Sequence, residues 1–331
     1  VSGARSEPAR DASGPAVRVQ GLTRHFGEVA AVVGLTFEVA RGELFGLVGP
    51  DGAGKTTSLR MLAGVLPPTA GDAWLFGASV ARDPERVKHD LAYMSQRFGL
   101  YTDLTVRENL DFYADLYRVP GPVRAERMKR LFEFSNLGPF QNRLAGKLSG
   151  GMKQKLGLSC ALIHEPGILL LDEPTFGVDP VSRRDLWLIV HEMVARGVTV
   201  IVSTAYMDEA ERMDRVALLH RGALLALESP EDLQASLRGR VLEVRTDRVR
   251  DAREAAGSLP GVTRAAAFGD RLHLMVDDAG SRNAGIRSAL AEAGFTVEEA
   301  RSIPASMEDV FIERIAEADR SAARPSGAAS S

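Results

Sequence analysis

The stretch Leu44-Phe45-Gly46-Leu47-Val48-Gly49-Pro50-Asp51-Gly52-Ala53-Gly54-Lys55-Thr56-Thr57 decides how the chain folds. Its first five residues are apolar or glycine, the pattern of a short strand buried on both faces. Glycines at 49, 52 and 54 then allow a tight turn and a close backbone approach to a ligand, and a helical run follows. This is the gapless phosphate-binding pattern G-x-x-x-x-G-K-[ST], in the strand, loop and helix setting that it needs. The helix N-terminus presents unpaired N–H groups and the positive end of its dipole to an anion. Lys55 is placed to reach the β- and γ-phosphates, and the Thr56 hydroxyl to meet Mg²⁺. Gly49, Pro50, Asp51, Gly52, Ala53, Gly54, Lys55, Thr56 and Thr57 form the expected cradle.

A phosphate loop alone leaves kinases, GTPases, recombinases and transport ATPases open. Ile168-Leu169-Leu170-Leu171-Asp172-Glu173-Pro174 narrows the choice by placing two acids at the end of a second buried strand. Asp172 is expected to hold Mg²⁺, through water or directly, and Glu173 to polarise the attacking water. No Asn-Lys-x-Asp motif occurs, which counts against a GTPase. Leu148-Ser149-Gly150-Gly151-Met152-Lys153-Gln154 opens another helix with two glycines and a hydroxyl, a second anion-binding surface. Read as structure alone, Ser149 is simply an N-cap.

Working outward, apolar runs at 17–19, 35–39, 198–203 and 216–220 alternate with helical patterns, which indicates an α/β domain with a mainly parallel sheet. Residues 97–165 read as a helical insertion. Thr105 and Glu108 form a capping-box pair there, and Pro120-Gly121-Pro122 separates two helices. Beyond Ser236 a βαββαβ order suggests a small ferredoxin-like α+β domain over 240–316, with its fourth strand at 295–297 and a last helix capped by Ser306. The expected division is a tail at 1–15, an ATPase-type domain at 16–236, the small domain, and a tail at 317–331. Both tails are too poor in apolar residues to order themselves.

Composition excludes several classes. The 331 residues are 45% hydrophobic and 26% charged, and 41 Lys and Arg face 44 Asp and Glu for a net charge of −3. That balance gives no electrostatic case for a nucleic-acid partner. One cysteine, Cys160, rules out an intramolecular disulfide, and its apolar neighbours mark it as a small buried hydrophobe. The six histidines lack metal-ligand spacing. No apolar run approaches the ~18–20 residues of a membrane span, and VSGARSEPAR has no signal-peptide core, so a soluble, reduced, cytosolic chain is expected.

From about residue 17 to 229 these motifs, in this order, resemble those of ABC-type ATPases. The resemblance implies that Phe26, in His25-Phe26-Gly27, stacks on adenine, and that Gln96, in Tyr93-Met94-Ser95-Gln96, senses Mg²⁺ and the attacking water. It implies that Asp179, in Thr175-Phe176-Gly177-Val178-Asp179-Pro180, lies in a loop crossing between subunits. Two such domains pair head to tail, so that Ser149, Gly150 and Gly151 of one close over ATP held by Lys55 of the other. One position departs: where the family usually has a histidine that contacts the γ-phosphate, Ser203-Thr204-Ala205-Tyr206-Met207-Asp208-Glu209 has Ala205. The stretches 206–211 and 306–311 make the chain most similar to subunits of bacterial multidrug exporters, which commonly carry a small C-terminal domain. The implied partners are an integral-membrane permease and a second ATPase subunit, at the cytoplasmic face of the membrane. The apolar loop Phe98-Gly99-Leu100-Tyr101-Thr102-Asp103-Leu104 is the candidate contact with the permease; the alternative is that it packs into the helical insertion. The rival readings are a non-transport ABC-type ATPase and a slowly hydrolysing regulatory module.

Overall fold

The computed structural model describes residues 14–96 and 99–323. The chain divides into two compact units, 1–227 and 228–331. Strands of the first are β1 (Val17–Phe26), β2 (Val29–Val39), β3 (Leu44–Val48), β4 (Ala70–Leu75), β5 (Ala78–Ser79), β6 (Leu91–Met94), β7 (Ile168–Asp172), β8 (Thr199–Thr204), β9 (Arg215–His220) and β10 (Ala223–Glu228). Its helices are α1 (Lys55–Leu62), α2 (Pro84–His89), α3 (Val106–Leu116), α4 (Gly121–Ser135), α5 (Gly150–Leu162), α6 (Pro180–Ala195) and α7 (Met207–Ala210).

A six-stranded sheet in the order β10-β9-β3-β8-β7-β6 forms the centre. The pairs β3–β8, β3–β9, β7–β8 and β6–β7 are parallel, as their fully apolar runs require. Register does the functional work: Val48 lies opposite Thr204, Asp172 opposite Ser203, and Met94 opposite Leu171. The C-terminal ends of four neighbouring strands therefore line up, the place where open α/β sheets bind ligands. A separate antiparallel sheet, β2-β1-β4-β5, contributes to the same apolar core through Val17, Val19, Leu35 and Phe37. The sequence reading did not anticipate this second sheet.

The helical insertion consists of α3, α4 and α5. Thr105 and Glu108 cap α3 reciprocally, at 3.1 Å and 2.8 Å. Asn109 is fully buried and donates to the carbonyls of Tyr101, Leu104 and Thr105, while its Oδ1 accepts from Tyr101 N–H. That pins the segment 101–105 to α3. Phe98 of the expected apolar contact lies outside the described residues. Tyr101 packs on Phe112 with ring centroids 4.5 Å apart, yet both remain exposed. Cys160 is buried, which pushes its thiol well above the ordinary range.

The second unit comprises α8 (Pro230–Ala235), β11 (Val241–Thr246), α9 (Val249–Gly257), β12 (Val262–Phe268), β13 (Arg271–Val276), α10 (Ala279–Glu292), β14 (Val297–Ile303) and α11 (Met307–Ala323). Its sheet order, β12-β13-β11-β14, is antiparallel throughout and gives the ferredoxin-like arrangement. Three expectations shift. The division falls at 227/228 rather than after 236, because α8 packs with α11 inside the second unit. The last strand begins at Val297 instead of running 295–297. The tail expected at 317–331 is helical as far as Ala323, where Arg314–Glu317 and Arg320–Glu313 pairs at 2.9 Å and 3.1 Å support the turns. Residues 1–13 and 324–331 of the expected tails lie outside the described residues.

Candidate functional site

The phosphate loop leaves β3 at Gly49, whose N–H donates to Thr204 O at 3.2 Å. A Cβ at Gly49 would lie 2.3 Å from Leu219 O, and one at Gly54 (φ 98°) would lie 2.5 Å from Ala31 O. Only glycine fits the loop at these two points. Lys55 opens α1 with only 4% of its surface exposed. Its Nζ donates to Gly49 O (2.8 Å) and Pro50 O (3.0 Å) and stands 3.2 Å from Glu173 Oε1.

Asp172 ends β7 and is buried. Oδ1 accepts from Thr56 Oγ1 (2.9 Å) and Ser203 Oγ (2.7 Å), and Oδ2 accepts from Tyr93 OH (3.1 Å). Burial, and next the Asp172 charge, push the Tyr93 phenol up to about 12, so it stays a donor. Glu173 follows in the left-handed region (φ 49°), with its N–H held by Ser203 O (3.1 Å) and Ser203 Oγ (3.0 Å). A non-glycine residue pays for that backbone with about 1–2 kcal/mol of strain, stored beside the candidate site. Gln96 Nε2 donates to Glu173 Oε2 at 3.1 Å.

Lys55, Thr56, Asp172, Glu173 and Gln96 thus form one bonded cluster together with Tyr93 and with Ser203, which holds both the Asp172 carboxylate and the Glu173 N–H. Sequence reasoning missed two members of it, Ser203 and Tyr93. The signal available for Ser203 was a hydroxyl at the end of an otherwise apolar run. The Thr56 and Asp172 oxygens, adjacent and hard, suit Mg²⁺, which takes one or two protein carboxylates and fills its sphere with water and phosphate oxygens. Among the described residues no group of three or more His, Cys, Asp or Glu could hold a metal by itself.

The stretch 148–154 builds a second cluster. Ser149 caps α5, its Oγ accepting from Met152 N–H at 3.3 Å. Asp179 caps α6 through Ser182 N–H at 3.0 Å, and that backbone hydrogen bond holds its carboxyl below the usual range. A Cβ at Gly151 would lie 2.1 Å from Ser182 Oγ, so α5 and α6 meet there without room for a side chain. Lys155 and Asp185 bridge the same two helices. Among the described residues no hydrogen bond joins Ser149, Gly150, Gly151 or Asp179 to the Lys55 cluster. Phe26 is 47% exposed rather than packed in the core, with the Arg24 guanidinium 4.7 Å from its ring centroid. Ala205 lies between Thr204, which is fully engaged, and Tyr206, over whose ring Arg183 sits at 4.6 Å.

Residues 32–176 match the ABC transporter family, and residues 229–315 match the domain described as "ATP-binding protein DrrA1-3-like, C-terminal domain". The chain is 50% identical over 226 residues to the "Probable multidrug ABC transporter ATP-binding protein YbhF" of Escherichia coli (strain K12). That match covers 68% of this chain and only 39% of YbhF, so the chain spans about two fifths of that relative's length. It is 35% identical over 302 residues to the Nod factor export ATP-binding protein I of Ralstonia nicotianae, covering 91% of this chain and 94% of that one. A solved dimeric structure of the ATP-binding cassette MJ0796, bound to ADP and Pi in a post-hydrolysis state, superposes with a TM-score of 0.59 at 25% identity, covering 64% of this chain and 98% of that one. Similarity that runs nearly the full length of an ATP-binding export protein, over a phosphate loop set in this geometry, makes the chain a member of the ABC transporter ATP-binding proteins, with a DrrA-like C-terminal domain.

Proposed function

We propose that the chain binds and hydrolyses ATP as one of two paired subunits and so drives an ABC exporter. The observation that carries this reading is the joining of Lys55, Thr56, Asp172, Glu173 and Gln96 at adjacent strand ends. Lys55 meets the phosphates, whose oxygens compete with Glu173 for the ammonium. Glu173, freed from that ion pair and steadied by Gln96, takes a proton from the attacking water at a carboxylate oxygen. Thr56 and Asp172, with Gln96 nearby, would hold Mg²⁺, which would supply charge neutralisation on the phosphates when bound. Ser203 and Tyr93 fix the Asp172 carboxylate. Phe26, exposed beside Arg24, offers the adenine a flat face.

Ser149, Gly150 and Gly151, with Asp179 beside them, serve the partner's nucleotide. The separation of the two clusters within one chain supports that division, and the dimeric cassette relative supports the pairing. Exposed Tyr101, Phe112, Leu116 and Tyr117 support docking of a membrane permease on the helical insertion. Among the described residues no helix is long and apolar enough to cross a membrane. Export of drugs or other small amphipathic molecules follows the relatives named for multidrug and Nod factor export.

Light scattering on the Glu173→Gln chain tests the reading. Association is expected with ATP·Mg²⁺ and not with ADP. Ser149→Arg should abolish that association and leave nucleotide binding by the single subunit intact. Equal association in both nucleotides would refute ATP-driven pairing.

A further inference from the structure

Glu209 lies on α7, just beyond Ala205, and is fully buried. A buried carboxylate is costly unless a cation and hydrogen bonds satisfy it. Oε1 accepts from Thr175 Oγ1 (2.7 Å), Arg183 Nε (2.7 Å) and Trp187 Nε1 (3.1 Å), and Oε2 accepts from Thr204 Oγ1 (2.6 Å).

These donors come from three segments. Thr175 follows the Asp172-Glu173 strand end. Arg183 and Trp187 belong to α6, whose first turn is capped by Asp179 and pressed against Gly151. Thr204 ends β8, where its carbonyl holds Gly49 N–H and its neighbour Ser203 holds both Asp172 and the Glu173 amide. A continuous chain of contacts runs from the start of α6 through Glu209 to the phosphate loop and the base. Simple core filling would be met as well by an apolar side chain, with no converging donors.

We propose that Glu209 is a positioning residue that locks these three segments together, so that closure at the Asp179 end of α6 reaches Glu173 and the phosphate loop without any side-chain contact from position 205. The proposal rests on the reading of the site as a pairing ATPase.

Trp187 supplies a reporter within the network. The chain has two tryptophans, so a Trp74→Phe background leaves Trp187 as its one indole. In the full-length chain with that background, ATP·Mg²⁺ should change Trp187 emission. Glu209→Gln should bind ATP as the parent does and lose about 10–100-fold in turnover, the usual cost of removing a group that orients a catalytic residue. The nucleotide-dependent Trp187 change should vanish with it. Thr175→Val and Thr204→Val, made singly and together, should lower turnover less than multiplicatively, since both act through one carboxylate. Parent-like turnover and emission change in Glu209→Gln, or fully multiplicative threonine effects, overturns the proposal. If Glu209→Gln fails to fold, the threonine cycle decides. An active parent with an equally active Glu209→Gln removes this proposal alone. A parent that neither associates nor hydrolyses ATP removes the functional reading and this proposal with it.

Discussion

Buried charge occupies different places in the two units. In the first, Asp172 ends the parallel strand β7, with Glu173 next to it and Lys55 reaching Glu173 from the start of α1, where loops can part to admit a ligand. In the second, Glu243 sits mid-strand on β11, directly opposite His273 on β13 and Arg301 on β14. It accepts from Arg271 at 2.9 Å and from Arg301 at 2.9 Å, while His273 Nδ1 meets Asp309 at 2.9 Å. Burial works to raise the Glu243 pKa, but the two arginines outweigh it and hold the carboxyl low. Cross-strand charge in the middle of antiparallel strands stabilises the sheet itself. Charge at the ends of parallel strands is left free to serve chemistry. Position along the strand, more than burial, separates the two roles.

The sharpest way to break that contrast is Glu173→Gln. It keeps the shape at the strand end and removes the proposed base, so turnover in a single-turnover assay should fall about 10²–10⁴-fold with ATP still bound. The unfolding midpoint should move little. Near-normal turnover would move Glu173 into the structural class with Glu243.

Ala205→His should have a smaller effect, changing turnover only a few-fold, measured with the permease present. The remaining proposed contacts should absorb part of the loss of one charge-assisted hydrogen bond, about 1.5–3 kcal/mol. A rescue of a hundredfold or more would make the native site a binding switch rather than an engine.

The smallest effect concerns His273. Burial opposes its charge, but the Asp309 hydrogen bond and the Glu243 charge outweigh it and raise the pKa above 6.5. Asp309 is desolvated too, yet His273 and the Ser306 cap hold its pKa below 3.8. The His273 contribution is therefore complete below about pH 6.5 and lost as pH rises through the raised value; that of Asp309 is present above about pH 4 and lost as pH falls further. Thermal unfolding of the full chain should show the second unit losing a few degrees between pH 6 and 8.5, and His273→Asn should flatten that slope with turnover unchanged. A slope that survives in His273→Asn assigns it elsewhere.

Legibility in the sequence followed the same contrast. The parallel strands were readable because they are buried on both faces, and the phosphate loop because its glycines are dictated by contact distances. The antiparallel sheet was not, since β2 alternates exposed and buried residues around Gly34 and β5 has two residues. On β14 only Ala300 is buried, so no apolar period marked where that strand begins. Motif residues of the site could be named in advance, whereas Ser203, Tyr93 and Glu209 reach it by register and through-space contact. The left-handed backbone at Glu173 has no signature in residue type.

The contact between Gly151 and Ser182 has a thermodynamic consequence. With α5 and α6 in contact at their first turns and bridged again by Lys155 and Asp185, their two leading loops are tied to each other. Conformational entropy that two independent loops would surrender on meeting another molecule has already been given up in folding. More of the favourable free energy of an encounter then remains as affinity, and adding even a methyl group at position 151 would return that entropy cost to the moment of binding.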